Sequence, residues 1–436
     1  MPERFSWLFV ASMFLIVAPC STAQSSQAPL PSVIEGCYTG ANVSPSLPKD
    51  CILWYRDGDS YTNARSDFSA GVKNIVTMEH FDSHSFAFNA TTEPDVKVSR
   101  HYAGTISGDR FEGKIVQTIS SAAKPISADY TWSGWVFYPP PPSARSREYA
   151  FVVCDDQASF INIGDYSVTT IDLKLGEFYI PKSIAVSPDG TKAYMSTGGQ
   201  TPTWYPAKLV TLDAIAGKVA QTLSLAKSPV PSGFVALAMA GDGVTLYGSG
   251  VDLKQTTTLI VAMDATSGAT LASIPYISGN SGPHNVNLVM AGTRLALSDG
   301  TVPNIPAPKG GPAVFGNDGQ GLSAFADGQT LCSGGKLLSI GTAQPSAQKP
   351  CSANLPPPTP QTRPRGVSIF LGAIQFADDR FTPLTATTPD GKAVFKLEKL
   401  PEGQGIYVRE ADSGLVTSVI PTCKQPTLLG MPPITR

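Results

Sequence analysis

Apolar and polar residues alternate with a period of two along most of this chain, in short runs broken by glycine, proline and aspartate. That period marks half-buried β-strands rather than helices. The clearest run is Pro181–Thr197. Ile184 and Val186 alternate with polar neighbours, Pro188-Asp189-Gly190 turns the chain, and Ala193 and Met195 resume the alternation. Asp-Gly between two such runs predicts a tight hairpin. Looser copies stand at Ser232–Gly250, His284–Ser298 and Thr382–Leu397. A strand hairpin that recurs every 40 to 50 residues or so predicts a β-propeller blade.

The repeat governs residues 148–436 and predicts an all-β propeller of six four-stranded blades, with seven as the alternative. Blade one reads as Tyr149–Cys154, Ser159–Ile163 and Val168–Leu173, and it lacks an innermost strand. An open edge invites aggregation, so Thr427–Met431 at the far end of the chain is the expected donor. Blade four is expected from Val286–Met290, Arg294–Ser298, Leu322–Phe325 and Gln329–Cys332, and the last from segments between Phe381 and Ile420. Residues 335–378 would hold one further blade, or two. The Pro181–Thr197 pattern resembles the YVTN-type propeller repeat, whose consensus runs P-x-x-I-A-V-S-P-D-G-x-x-x-Y-V. That resemblance implies the propeller fold and leaves the activity open.

Ahead of the propeller, Tyr102–Val116 reads strand, Gly-Asp turn, strand, and Tyr130–Phe137 continues the pattern. Residues 34–138 are therefore expected to form a small antiparallel β-barrel or sandwich, and they resemble small secreted β-modules. The four prolines Pro139 to Pro142 cannot join a ladder and predict a stiff linker over 139–147. Residues 1–23 read as a secretory signal: Arg4, an apolar stretch from Trp7 to Ala18, and small residues at Ser21 and Ala23. Residues 24–33 read as a flexible leader. Lipid anchoring through Cys20 is disfavoured by Pro19. The expected location is secreted or periplasmic.

The 436 residues carry a formal net charge of -2, with only 15% charged residues. No basic footprint for nucleic acid exists, and no apolar run beyond the signal is long enough to span a bilayer. Export makes disulfides reasonable. Cys37, Cys51, Cys154, Cys332, Cys351 and Cys423 remain after cleavage, and the proposed pairs are Cys37–Cys51, Cys332–Cys351 and Cys154–Cys423. Their spacing does not resemble zinc ligands.

Candidate chemistry follows from position in the repeat. Asp189, Asp242 and Asp390 sit in Asp-Gly turns, and Asp213, Asp264 and Asp412 lead into turns ending at glycine. Turn chemistry accounts for all six. Lys182, Ser232 and His284 fall at equivalent positions just after a proline and before the innermost strand, which would ring the channel mouth. Asp155, Asp252 and Asp299 lie in loops on that same face, Asn285 adjoins His284, and the Gly/Pro-rich stretch Thr301–Gln320 would overhang it. These are the ligand-binding candidates, and as loop residues Lys182 and His284 should matter little to stability. Gly282-Pro283-His284-Asn285 is similar to an element of seven-bladed phosphogluconolactonase-type lactonases. His284 stands where they carry arginine and Asn285 where they carry histidine, which argues against the same chemistry.

No nucleophile elbow, Walker loop or H-E-x-x-H occurs. The expected function is a binding or interaction scaffold whose partner is an extracellular or periplasmic protein or small molecule, without a cofactor. The alternative is a lactone or ester hydrolase using a channel-mouth calcium or zinc ion, or His284 as base. A quinoprotein-like reading ranks last, because Trp204 is the only tryptophan in the propeller.

Overall fold

The computed structural model describes residues 30–40, 51–58, 60–63, 74–92, 98–120, 126–177, 179–199, 206–252, 257–276, 288–291, 294–297, 322–324, 330–333, 336–339, 345–350, 385–400, 403–423 and 426–432. Among these the fold is all-β, with one short 3-10 turn at Pro142–Ala144. No described helix is long and apolar enough to cross a membrane. The expected signal, the expected leader as far as residue 29, and Cys20 lie outside the described residues.

The first eight strands are β1 (Val33–Gly40), β2 (Cys51–Asp57), β3 (Ser60–Asn63), β4 (Asn74–Phe81), β5 (Ser85–Thr92), β6 (Val98–Ser107), β7 (Arg110–Ile119) and β8 (Ile126–Phe137). They pair antiparallel in the order β3-β2-β1-β8-β7-β6-β5-β4, and the two end strands meet. The sheet thus rolls into a barrel. Its interior is aromatic: Trp54, Phe86, Phe88, Tyr102, Phe111 and Trp132 are buried in one cluster. Trp132 meets Tyr102 and Phe111 edge-on at 5.0 and 4.5 Å between ring centroids, the geometry that a ring quadrupole favours. Gly36 makes room for it: a Cβ there would lie 2.1 Å from Trp132 Nε1. Cys37 and Cys51 face each other in the β1–β2 ladder and form a disulfide.

Six further sheets follow among the described residues. β9 (Tyr149–Cys154), β10 (Gln157–Asn162) and β11 (Val168–Asp172) form the first with β30 (Pro426–Gly430), which lies on the inner side of β9. β12 (Tyr179–Val186), β13 (Lys192–Gly199), β14 (Lys208–Asp213) and β15 (Lys218–Ser224) form the second. β16 (Ala236–Met239), β17 (Thr245–Asp252), β18 (Thr257–Asp264) and β19 (Thr270–Tyr276) form the third. The hairpin β20 (Leu288–Ala291) and β21 (Arg294–Leu297) stands fourth. β22 (Leu322–Ala324), β23 (Thr330–Ser333), β24 (Lys336–Ser339) and β25 (Pro345–Pro350) form the fifth, and β26 (Thr385–Thr387), β27 (Ala393–Leu400), β28 (Gly403–Glu410) and β29 (Val416–Pro421) the sixth.

Two corrections to the sequence reading follow. Leu322–Phe325 and Gln329–Cys332, assigned to blade four, instead supply the first two strands of the next sheet, where β23 continues into β24. The hairpin position before the last outer strand is held by Glu410, not Asp412. The Gly414 N–H donates to the Glu410 carbonyl at 2.8 Å, as the Gly268 N–H does to Asp264.

Apolar clusters join the sheets in sequence. Phe151, Phe160, Met195 and Leu212 link the first and second; Phe234, Leu237 and Val261 pack onto Tyr194 and Leu209 of the second; Tyr247 and Ile260 meet Leu288 and Leu297. The sixth returns to the first through Phe395, Ile406 and Val408 against Val152 and Leu429. The Cys154–Cys423 disulfide lies at that seam, with Cα atoms 6.1 Å apart. Cys351 and the side chain of Cys332 lie outside the described residues.

The barrel is seated on the propeller. Outer strands β11 and β15 are almost wholly solvent-facing, whereas β29 is buried over most of its length. Val33, Leu53 and Tyr55 of the barrel cover Tyr407, Val416 and Val419, and the Ser32 hydroxyl donates to the Thr417 carbonyl at 3.0 Å. The proline-rich connection is not a loose tether. Asn162 accepts from the Ser146 N–H at 3.0 Å and donates to the Ser146 carbonyl at 2.8 Å.

The seam disulfide closes a separation of 269 residues, for which chain entropy gives an upper stabilisation of about 5 kcal/mol. Replacing Cys154 and Cys423 together by alanine should lower Tm by several degrees, measured by calorimetry, with a smaller effect from removing Cys37–Cys51, whose separation of 14 residues gives about 3 kcal/mol. An equal Tm loss from both pairs would show that the seam has no special place.

Candidate functional site

The hairpin turns on one face are built by aspartate. Asp189 accepts from the Ser187 hydroxyl at 2.5 Å and from the Thr191 N–H and hydroxyl at 3.1 and 2.9 Å. Asp242 accepts from the Val244 and Thr245 N–H groups, each at 2.9 Å, and Asp390 from the Thr388 hydroxyl at 2.7 Å and the Lys392 N–H at 3.0 Å. Gly190, Gly243 and Gly391 follow at φ 68, 67 and 72°, where a side chain would be strained. Burial works against the Asp189 carboxylate, but the bonds from Ser187 and Thr191 hold it below the ordinary carboxyl range. These groups shape turns, as their residue types imply.

Lys182, a ligand candidate, lies toward the other end of its sheet, away from the Asp189 turn. Lys182 is the extra residue of a β-bulge on β12, the innermost strand of its sheet, because the ladder to β13 slips between Pro181 and Ser183. A bulge re-aims a side chain. The Lys182 stem lies on Gly198 of β13, where a Cβ would come within 2.1 Å of Cε. Its ammonium donates to the Ser232 carbonyl at 3.1 Å. Burial lowers the Lys182 pKa, since a desolvated ammonium is less favourable. One of three N–H donors is thereby used; the other two have no hydrogen-bond partner among the described residues.

Around this contact the loop entering β16 is clamped to the second sheet. The Ser183 hydroxyl donates to the Phe234 carbonyl at 2.8 Å, and the Phe234 N–H donates to the Ser196 hydroxyl at 2.8 Å. Both serines are buried, so each bond satisfies a group that would be costly unpaired. Further out, the Lys208 ammonium lies 3.7 Å from the Tyr179 ring centroid and donates to the Leu175 carbonyl at 3.0 Å.

Of the sequence candidates, Lys182 and Ser232 are brought together, but through the Ser232 backbone rather than its hydroxyl. Asp155 is exposed in the β9–β10 turn, and Asp252 is half-buried at the end of β17. His284, Asn285, Asp299, Trp204 and the Thr301–Gln320 stretch lie outside the described residues. Among those described, no group of His, Cys, Asp and Glu is arranged to hold a metal ion.

Sequence reasoning missed a cavity of about 300 Å³ where barrel, linker, first sheet and sixth sheet meet. Arg56, Asp165, Tyr166, Val168 and Ser418–Pro421 are among its lining residues. Tyr166 has φ 58°, unusual for a non-glycine residue. These positions belong to separate sheets, and no local pattern announces their meeting.

The fold and these surfaces define a β-propeller with an eight-stranded barrel seated on one blade. No family model matches the chain, and no curated protein does. Solved structures to which it is similar include TolB from Acinetobacter baumannii, at 10% identity over 75% of this chain and 80% of that one, TM-score 0.37. Sqt1 from Chaetomium thermophilum is similar at 14% identity over 92% and 83%, TM-score 0.27. A functionally unknown protein from Desulfotomaculum acetoxidans is similar at 13% identity over 64% and 67%, TM-score 0.25. The architecture described above rests on the sheets themselves and not on these likenesses.

Asp189 and Lys182 should both contribute to stability, and only Asp189 with a loss at acid pH. Asp189→Ala should cost about 1 kcal/mol through the lost turn bonds. Because the folded pKa is depressed, this stabilisation is present above the free carboxyl range and lost as pH falls through the folded value, below about pH 4. Urea melts at pH 7 and pH 3 check both statements; an equal difference between wild type and variant at the two pH values would contradict them. Lys182→Ala should also cost about 1 kcal/mol, because the side chain is a half-buried clamp and not the solvated loop residue expected from sequence.

Proposed function

We propose that this chain is an exported propeller of the YVTN-type repeat that works as a binding scaffold, with its ligand site at the channel mouth. The observation that carries the reading is Lys182: a desolvated cation re-aimed by a bulge on an innermost strand, with two N–H donors unspent among the described residues. Such a group suits a carboxylate or carbonyl acceptor on the ligand. Ser232 lies beside it, and Asp155, exposed in the β9–β10 turn, would set the ligand's cationic or donor side, with Asp252 at the end of β17 on the same face. The two disulfides are consistent with an oxidising extracellular or periplasmic setting. The partner is a protein or small molecule of that compartment.

A pull-down from the extracellular or periplasmic fraction of the native cells tests this, with wild-type protein beside Lys182→Met and Asp189→Ala. The Met variant keeps the stem's packing and removes the charge. It should lose the captured partner while Asp189→Ala retains it. Retention by Lys182→Met and loss by Asp189→Ala would move the binding face to the Asp-Gly turns and end the channel-mouth reading. N-terminal sequencing of the exported chain should begin at Gln24.

A further inference from the structure

The barrel interior holds two polar groups that the propeller leaves unused. Trp54 and Trp132 are each 1% exposed, and neither indole N–H has a hydrogen-bond partner among the described residues. A folded chain rarely leaves a buried donor unpaired, because its bond to water is lost and nothing replaces it. Two such donors in one core need an acceptor. They belong to a single aromatic group. Phe88 and Tyr102 stack with their ring centroids 4.8 Å apart. Each indole stands edge-on to both rings, Trp54 at 5.3 and 5.4 Å and Trp132 at 6.3 and 5.0 Å. Gly36 lies under Trp132 Nε1 and pairs with Ile52, two residues before Trp54.

The other polar groups on this face are engaged. Arg100 Nε donates to Gln117 Oε1 at 2.7 Å, and the Tyr102 hydroxyl lies near Arg100. The barrel also has a side on which its interior is less covered. β3 and β4 end the strand order, and no ladder joins them among the described residues. Val76, Met78 and Phe81 of β4 pack against the aromatic group but are only half-buried, whereas Phe86, Phe88 and Ala90 of the neighbouring β5 are fully buried. An eight-stranded barrel is wide enough for its own side chains or for one small ligand.

We propose that the barrel interior binds one small, flat, uncharged molecule whose carbonyl or ether oxygens accept from the Trp54 and Trp132 N–H groups, and which enters on the β4 side. The ligand's chemistry follows from the donors and the walls. An indole N–H can only donate, so the ligand must accept. Aromatic walls favour offset and edge contacts with a flat ring. A charged ligand would lose its hydration among these rings without an opposite charge in the group to meet it. This site is separate from the channel mouth and does not depend on Lys182.

Nuclear magnetic resonance on the full chain with nitrogen-15-labelled tryptophan tests it, with three probes. Coumarin is flat, uncharged and carries a carbonyl and a ring oxygen; naphthalene has the shape without an acceptor; coumarin-3-carboxylate adds a charge. Coumarin should saturably shift the indole N–H signals of Trp54 and Trp132, assigned by their loss in Trp54→Phe and Trp132→Phe, and leave those of Trp135 and Trp204 in place. Naphthalene should bind roughly tenfold more weakly, and the carboxylate should not bind. Each tryptophan variant that folds should bind coumarin only as well as wild type binds naphthalene. Lys182→Met should leave every shift unchanged. No saturable shift with coumarin would overturn the proposal, and indole N–H groups that exchange quickly with water would then show hydration alone. Equal affinity for naphthalene or for coumarin-3-carboxylate would also overturn it, as would shifts that vanish in Lys182→Met. The wild-type titrations decide the matter even if both tryptophan variants fail to fold.

Discussion

Everything in the propeller depends on pairing one strand edge. β9 begins the propeller without an inner neighbour of its own, and three strands alone would leave its backbone groups open to any passing edge. β30 supplies the missing partner from the other end of the chain, with Leu428, Leu429 and Gly430 opposite Val153, Val152 and Phe151. The Thr427 hydroxyl adds a bond to the Val153 carbonyl at 3.2 Å across 274 residues of sequence. Cys154–Cys423 then fixes covalently what the ladder holds by hydrogen bonds. Leu429 on β30 packs with Val152 and with Phe395 and Ile406 of the sixth sheet, so a single strand completes one sheet and seals the seam to the next.

The same seam positions the barrel. Since β30 follows β29 directly, the sixth sheet cannot drift from the first, and its outer strand becomes a fixed platform. Val33, Leu53 and Tyr55 occupy that platform, and the Asn162 contacts to Ser146 hold the connection against the first sheet. The seat brings residues of separate sheets to one cleft. It also leaves a half-buried Lys182 at one end of the second sheet and a cleft at the junction of barrel and propeller.

Much of this was readable from the chain because its signals are local. Period-two runs and Asp-Gly turns gave the hairpins, and the missing inner strand before Tyr149 pointed to the Thr427–Met431 donor. The pairing Cys154–Cys423 follows once the ring is assumed, and Cys37–Cys51 from the short loop it closes. What escaped was non-local. Leu322–Phe325 looks equally able to end one sheet or begin the next, and only the continuation from β23 into β24 decides. The bulge at Lys182 is a register slip against β13, invisible in β12 alone. The sequence did carry one unread hint of the barrel's seat: β29 has Val416, Val419 and Ile420, whereas β11 and β15 are more polar. An outer strand with that composition needs a cover.

The most direct test of this account is to delete residues 424–436 and follow hydrogen exchange of the β9 amides together with the melting transition. With its inner partner gone, β9 should lose protection, the seam to the sixth sheet should loosen, and melting should broaden and shift down, while the barrel strands β5 to β8 keep their protection. If the truncated chain retains full protection across Tyr149–Cys154 and an unchanged, cooperative melt, then closure by β30 is not what holds the ring.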